Sequence, residues 1–268
     1  MFVRIESENN GRLRLIRKLR TAKGRSEEGR FAVEGINLVS EVIGRGLDID
    51  FIMVSEGWLD DDRDERRIAV RNCAESGNIT VCEAAENLFN RVTDTEYGAG
   101  VLAVVRKNEP DAGLIDALPL DSNILVLDRI QDPGNMGTMI RTAVAAGYSL
   151  ILAVRGTVDI YSPKVLRATA GMVFEIPVIY VSDAAELSDM IRRSGKKAVV
   201  TVPDGGRPYY EEDLSKNTAL IIGNEGRGVS DEVMDLARTR VTLPMKGNIE
   251  SLNAAIAAAI LMYEAVRK

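Results

Sequence analysis

Three stretches hold most of the side chains that could do chemistry. Asn135 and Arg141 lie in LDRIQDPGNMGTMIRTAVAAG, Asn224 and Glu225 in LIIGNEGRGVS, and Ser251 and Asn253 in LPMKGNIESLNAAIAAAI. Amides, a carboxylate, a hydroxyl and a guanidinium can orient and clamp a substrate. The guanidinium stays protonated and so is a poor base. The chain has no histidine, which removes Ser-His-Asp and Cys-His catalysis, His-ligated zinc and any imidazole proton shuttle. Its chemistry must use carboxylates, amides, hydroxyls, Lys or Arg, or require little acid–base help. Two cysteines, Cys73 and Cys82, give neither a disulfide framework nor a metal-ligand spacing, so no metal is expected.

Each stretch begins where an apolar run stops. Ile124 to Asp128 is a buried strand by composition, followed by a turn-rich loop from Arg129 to Gly137. A helix then runs to Ala146 and closes at Gly147. Its apolar residues Met136, Met139, Ile140, Ala143 and Val144 define a core face. Asn135, Thr138, Arg141 and Thr142 fall to one side of that face, where Asn135 and Arg141 could flank a pocket. An ordinary Asn cap and a surface Arg explain the same pattern. Leu220 to Ile222 is a strand that ends in Gly223-Asn224-Glu225-Gly226-Arg227-Gly228, with Ser230 as the next helix cap. Gly223, Gly226 and Gly228 would permit tight backbone and close ligand approach. The spacing is GxxGxG, not the dinucleotide fingerprint GxGxxG. Val241 to Leu243 stops at Pro244, and an Ala-rich helix follows, with Ser251 as its cap and Asn253 in its first turn. Two strand ends and two helix starts would meet at one sheet edge, where open α/β folds bind ligands.

Strands at 150–154, 177–181 and 198–202, with helices from Ser162-Pro163 and over 184–194, complete the alternation of a mostly parallel sheet covered on both faces. The first part of the chain alternates similarly. A helix over 11–23, strands at 31–35, 49–54, 79–82 and 100–105, and helices at 36–45, 62–76 and 84–89 form a unit of roughly 100 residues, a usual domain size. Residues 107–122 carry two prolines without clean periodicity and read as a linker. The expected domains are therefore 1–106 and 123–268. No run reaches about 18 apolar residues, so no membrane span is expected. No apolar leader opens the chain, and a cytoplasmic protein is expected. The net charge is −6, which argues weakly against nucleic acid. Residues 1–30, however, carry nine Arg and Lys against four Glu, leaving −11 for the rest. That opening is either an arm that touches phosphates or a solvated basic helix.

Taken together, the three motifs closely resemble those of the SpoU (TrmH-like) family of RNA 2′-O-ribose methyltransferases, within the SPOUT superfamily. The resemblance covers nearly all of residues 123–268. It implies an α/β, Rossmann-like, mostly parallel sheet with a C-terminal deep trefoil knot, one of the rare exceptions to unknotted topology. It also implies a preceding small α/β, ribosomal-protein-like RNA-binding domain. The basic opening followed by FAVEG supports that domain modestly. Family members use S-adenosylmethionine, held in the knot largely by backbone groups. By position, Gly223, Leu243 and Leu252 would line that pocket, with Thr201, Asn224 and Met245 nearby. They are homodimers through the knot helices, each site drawing on both chains.

The resemblance further assigns Arg141, Asn135, Glu225, Ser251 and Asn253 to catalysis. The reaction would be in-line attack of a ribose 2′-hydroxyl on an already activated methyl, so positioning supplies much of the rate. Arg141 suits a phosphate clamp and electrostatic organiser, although the family's proposal of arginine as base stays open. Asn135 would orient Arg141 or the ribose, Glu225 would hold the loop or a positive partner, and Ser251 and Asn253 would fix the geometry. Ribosomal RNA is the expected substrate class, with transfer RNA the other. A nucleotide-dependent Rossmann-like enzyme and a non-catalytic RNA-binding protein with a degenerate donor site are the competing readings.

Overall fold

The computed structural model describes residues 1–61, 63–93, 100–247 and 251–267. The chain divides into two compact units, one of residues 1–108 and 161–171, the other of 109–160 and 172–268. In the first, β1 (Phe2–Ile5) leads to α1 (Gly11–Leu19), α2 (Ala22–Glu28), β2 (Arg30–Glu34) and α3 (Ile36–Gly44). Then follow β3 (Ile49–Ser55), α4 (Glu65–Glu75), β4 (Thr80–Ala84), α5 (Glu86–Phe89) and β5 (Val101–Arg106). The strand order is β1-β4-β3-β5-β2. β1, β4 and β3 are parallel, while β5 runs antiparallel to β3 and β2. Leu13, Ile16 and Leu19 of α1 pack with Phe51, Met53 and Leu102 in its core.

Three expectations for this unit change. The helix expected over 11–23 is two helices, because Thr21 caps α2 by accepting from the Gly24 amide. A Cβ at Gly24 would stand 1.9 Å from the Lys18 carbonyl oxygen, so the chain turns around a glycine at this point. β1 escapes notice because only Ile5 of its four residues is buried, too short a signal for period-two reading. The charged helix starts at Glu65, capped by Asp64, and its expected start at Asp62 lies outside the described residues.

The second unit contains β6 (Ile124–Asp128), α6 (Pro133–Ala145), β7 (Leu150–Val154), β8 (Val178–Val181), α8 (Ala184–Ser194) and β9 (Lys197–Thr201). It continues with β10 (Arg207–Pro208), β11 (Thr218–Gly223), α9 (Asp231–Met234), β12 (Thr239–Thr242) and α10 (Ala254–Val266), while α7 (Pro163–Thr169) belongs to the first unit. Seven strands in the order β10-β12-β9-β11-β6-β7-β8 pair in parallel throughout. From β6 the chain adds β7 and β8 on one side, then returns to the other side for β9, with β11 inserted between β9 and β6. The sense of winding thus reverses beside β6, and ligands of such sheets bind outside the strands' carboxyl ends at this point.

Every residue of β6, β7 and β11 is buried, as a sheet covered on both faces requires. Ile124, Val126, Leu152 and Ile221 pack with Leu187 and Met190 of α8. α6 packs on α10, and α10 on β11. The stretch 107–122 is more than a tether. Ala112–Ala117 forms a 3₁₀ helix whose Ile115 enters the second core, and Lys196 donates to the Pro119 carbonyl at 2.7 Å. Among the described residues no helix is long and apolar enough to cross a membrane.

Candidate active site

A cleft of about 460 Å³ opens beyond the carboxyl ends of β9, β11 and β12, within the ~300–1,000 Å³ usual for small-molecule sites. Thr201, Gly223, Asn224, Leu243, Met245 and Leu252 all line it, as do Glu225 and Ser251. The walls thus come from three segments remote in sequence. Sequence reading missed Val202, Pro203, Met234 and Arg227, which also line the cleft. Arg227 lies inside the glycine-rich motif and could have been found from its place there. Leu252 keeps 39% of its surface exposed, so an apolar side chain faces the opening.

The loop after β11 closes on itself. Asn224 and Gly228 exchange backbone hydrogen bonds at 3.0 and 2.9 Å. Asn224 Oδ1 accepts from the amides of Gly226 and Arg227 at 3.0 and 3.1 Å, an Asx turn that occupies donors otherwise left bare. A Cβ on Gly223 would meet the Gly228 carbonyl carbon at 2.3 Å, so only glycine lets the returning backbone cross there. Gly228 has φ +67, a left-handed conformation. Gly226 has neither constraint: its nearest contact is 3.8 Å away. Of the three glycines expected to be needed by the backbone, the loop geometry requires two.

Ser230 occupies the cap position of α9, yet its side chain makes no cap bond. Its hydroxyl instead donates to Asp128 Oδ2 at 2.8 Å. The other caps also shift by residues. Asp132, not Asn135, caps α6 by accepting from the Asn135 amide at 2.7 Å. Asn253, not Ser251, caps α10 and accepts from the amides of Ala255 and Ile256 at 2.9 and 3.2 Å. Residues 248–250 of the third motif lie outside the described residues.

Asn253 and Asn135 then form a relay with a single consistent direction. Because Asn253 Oδ1 is engaged as the cap, its Nδ2 must donate, and it does so to Asn135 Oδ1 at 2.9 Å. Asn135 Nδ2 in turn donates to Glu225 Oε1 at 2.8 Å. Glu225 Oε2 lies 3.3 Å from Asn224 Nδ2, which also donates to the Arg129 carbonyl at 2.9 Å. One chain of hydrogen bonds therefore ties all three motifs together at the cleft rim. Asn135, expected to orient Arg141 or the ribose, uses both ends of its amide on Glu225 and Asn253. Glu225, expected to hold the loop or a cation, is held by two asparagines.

Arg141 stands apart. It is exposed on α6, about 9 Å along the helix axis from Asn135 at 1.5 Å per residue, and it does not line the cleft. Among the described residues its side chain has no hydrogen bond or ion pair. Within this unit the structure brings together ten of the eleven expected site residues, by lining or by the relay, and leaves Arg141 outside.

The cleft lies beyond the carboxyl ends of a parallel sheet, and the Asn253–Asn135–Glu225 relay ties the three motifs together at its rim. The sequence pattern of the SpoU rRNA Methylase family matches residues 122–263, and the chain belongs to that family. Residues 10–103 match the pattern of the MRM3-like substrate binding domain. Over 259 residues the chain is 36% identical to the 23S rRNA (guanosine(2553)-2′-O)-methyltransferase RlmP of Bacillus subtilis, covering 97% of each chain. It is 30% identical over 251 residues to the 23S rRNA (uridine(2479)-2′-O)-methyltransferase of Streptomyces viridochromogenes, covering 91% of this chain and 85% of that one. Among solved structures it resembles an AdoMet-bound rRNA methyltransferase of Sinorhizobium meliloti, with TM-score 0.86 and 29% identity over 99% and 98% of the two chains. It also resembles the SpoU methyltransferase AviRb of S. viridochromogenes in complex with AdoMet, with TM-score 0.85 and 28% identity over 97% and 98%.

Proposed function

We propose that this chain methylates a ribose 2′-hydroxyl of ribosomal RNA with S-adenosylmethionine as methyl donor. The observation that carries the reading is the cleft whose rim the Asn253–Asn135–Glu225 relay ties across three motifs. The cleft suits the donor. Leu243, Met245 and Leu252 offer apolar wall for an adenine and a methionine chain, and the tight Gly223–Gly228 crossing leaves backbone groups, not bulky side chains, at the floor. Among the described residues, Glu225 and Arg227 are its charged lining residues, of opposite sign, as a ligand with both carboxylate and sulfonium would suit. S-adenosylmethionine would supply a methyl group already activated on a cationic sulfur and leave as the neutral thioether, the 2′-hydroxyl proton passing to RNA phosphate or solvent, so neither a metal nor an imidazole base is required.

The chain's own contribution is positioning. Thr201, Gly223, Asn224, Leu243, Met245 and Leu252 hold the donor. Glu225, kept in place by Asn135, holds the second motif against the first, while Ser251 and Asn253 fix the third. Arg141 is permanently charged and serves as a clamp on RNA phosphate. Since it lies off its own chain's cleft, it serves the cleft of a second copy. The exposed apolar row Ile256, Ile260 and Tyr263 on α10, at helical spacing, supports a homodimer through this helix and α6. The interleaved insertion of β11 and the meeting of the second and third motifs support the reading of a knotted C-terminal segment. Residues 1–106 are read as the RNA-binding domain, in keeping with the substrate-binding pattern matched there, and 123–268 as the methyltransferase apart from 161–171, which pack in the first unit. Ribosomal RNA as substrate supports a cytoplasmic location.

Calorimetric titration with S-adenosylmethionine, with NAD as control, tests the reading. Binding of the methyl donor alone is expected, followed by loss of one 2′-O-methyl mark in ribosomal RNA from cells lacking the protein. Binding of NAD alone would overturn it.

A further inference from the structure

Two consecutive residues at the end of β6 grip both ends of the loop that forms the cleft floor. Asp128 pairs in register with Gly223 of β11 and with Val154 of β7, and its side chain is fully buried. Its Oδ2 accepts from the Ser230 amide at 2.6 Å and from the Ser230 hydroxyl at 2.8 Å. Its Oδ1 lies 3.3 Å from Arg129 Nε, near enough for an ion pair but not aligned for a hydrogen bond. Arg129 has φ +57, a left-handed conformation that is uncommon outside glycine and is kept where surroundings hold it. Its stem packs on Gly156, where a Cβ would stand 3.2 Å from Arg129 Cγ. In that conformation its carbonyl accepts from Asn224 Nδ2 at 2.9 Å.

The loop therefore enters at Asn224, held by the Arg129 carbonyl, and leaves at Ser230, held by the Asp128 carboxylate. A buried carboxylate is costly unless hydrogen-bonded, and this one has its charge-assisted bonds at the loop exit. We propose that Asp128 is a positioning residue that sets the shape of loop 223–230, and through it the affinity for the methyl donor. The cation of Arg129 balances its second oxygen. Asp128 does not line the cleft and acts through Ser230. The inference rests on the cleft being the donor site.

The test uses the full chain with Ser230→Ala, Ser230→Thr and Asp128→Asn, reading donor Kd by calorimetry, KM for S-adenosylmethionine, kcat and the thermal midpoint. Ser230→Ala removes one charge-assisted bond and should raise donor Kd and KM about tenfold, with kcat changed by less than about threefold. Ser230→Thr keeps the hydroxyl and should restore most of that loss. Asp128→Asn should raise KM by more, and if it fails to fold, the serine pair decides alone. A lower thermal midpoint with unchanged KM in Ser230→Ala would make Asp128 a stabilising residue only and overturn the proposal. Leu243→Arg fills the cleft itself. If that variant still binds the donor, the location of the donor site fails, separately from the role of Asp128.

Discussion

Asn253 Nδ2 donates to Asn135 Oδ1 at 2.9 Å across 118 residues of sequence, joining the start of α10 to the start of α6. Asn135 also donates to Glu225 Oε1, and Asn253 also accepts from the Ala255 and Ile256 amides. Asn253→Ala removes a helix cap together with the relay. It should cost about 1–2 kcal/mol of stability, seen as a lower denaturant midpoint. Asn135→Asp keeps the acceptor for Asn253 but sets a second carboxylate against Glu225 in place of the amide donor, so it should impair methyl transfer more than it lowers the midpoint. Equal losses in both measurements would mean that the relay only stabilises the fold.

The glycines of the second motif should separate cleanly. Gly223→Ala places a Cβ 2.3 Å from the Gly228 backbone and should abolish donor binding. Gly226→Ala meets no protein atom closer than 3.8 Å but lines the cleft, so it should keep the loop's fold and weaken donor binding far less than Gly223→Ala. Calorimetry on the two variants checks both.

Arg141 lies off the cleft of its own chain, and a shared site makes a sharp prediction. Arg141→Ala alone should lose methyl transfer by at least a hundredfold while keeping donor affinity, the loss expected when a group acts only on substrate or transition state. Leu243→Arg alone should also be inactive. Mixed and re-equilibrated, the two should regain up to a quarter of wild-type activity, because heterodimers would contain one intact site. No recovery would place Arg141 and the cleft in the same chain's site.

The apolar row on α10 should govern association. Ile256, Ile260 and Tyr263 are 54%, 36% and 51% exposed. Ile260→Glu should shift sedimentation toward monomer and abolish methyl transfer at low protein concentration, a charge being poorly accepted in an apolar interface.

Much of this was legible in the sequence. Apolar runs marked β6, β7 and β11 because strands buried on both faces need no alternation, and the helix expected over 184–194 is α8. The three motifs pointed to one sheet edge; residues of the second and third line one cleft there, and the first reaches its rim through Asn135. What was not legible depended on contacts distant in sequence. Ser230 reads as a helix cap, yet its hydroxyl finds Asp128, 102 positions earlier. Asn135 reads as a cap, yet an aspartate three residues before it takes that role and frees its amide for Glu225 and Asn253. Local spacing gives the type of each group but not its partner. β1 and β10 were too short or too exposed to carry a period at all.

The helix Pro163–Thr169 lies in the sequence between β7 and β8 but packs on β2 in the first unit. Tyr161 stacks on Phe31 there, ring centroids 4.4 Å apart. The two units are therefore interrupted in the gene, not written end to end. A fragment beginning at Glu109 would carry Val165 and Leu166 with no β2 to cover them, and one ending at Asn108 would leave Phe31 without its aromatic neighbour. Exchange of the first unit between relatives would have to move residues 161–171 along with 1–108, a two-piece transplant that a single crossover cannot deliver.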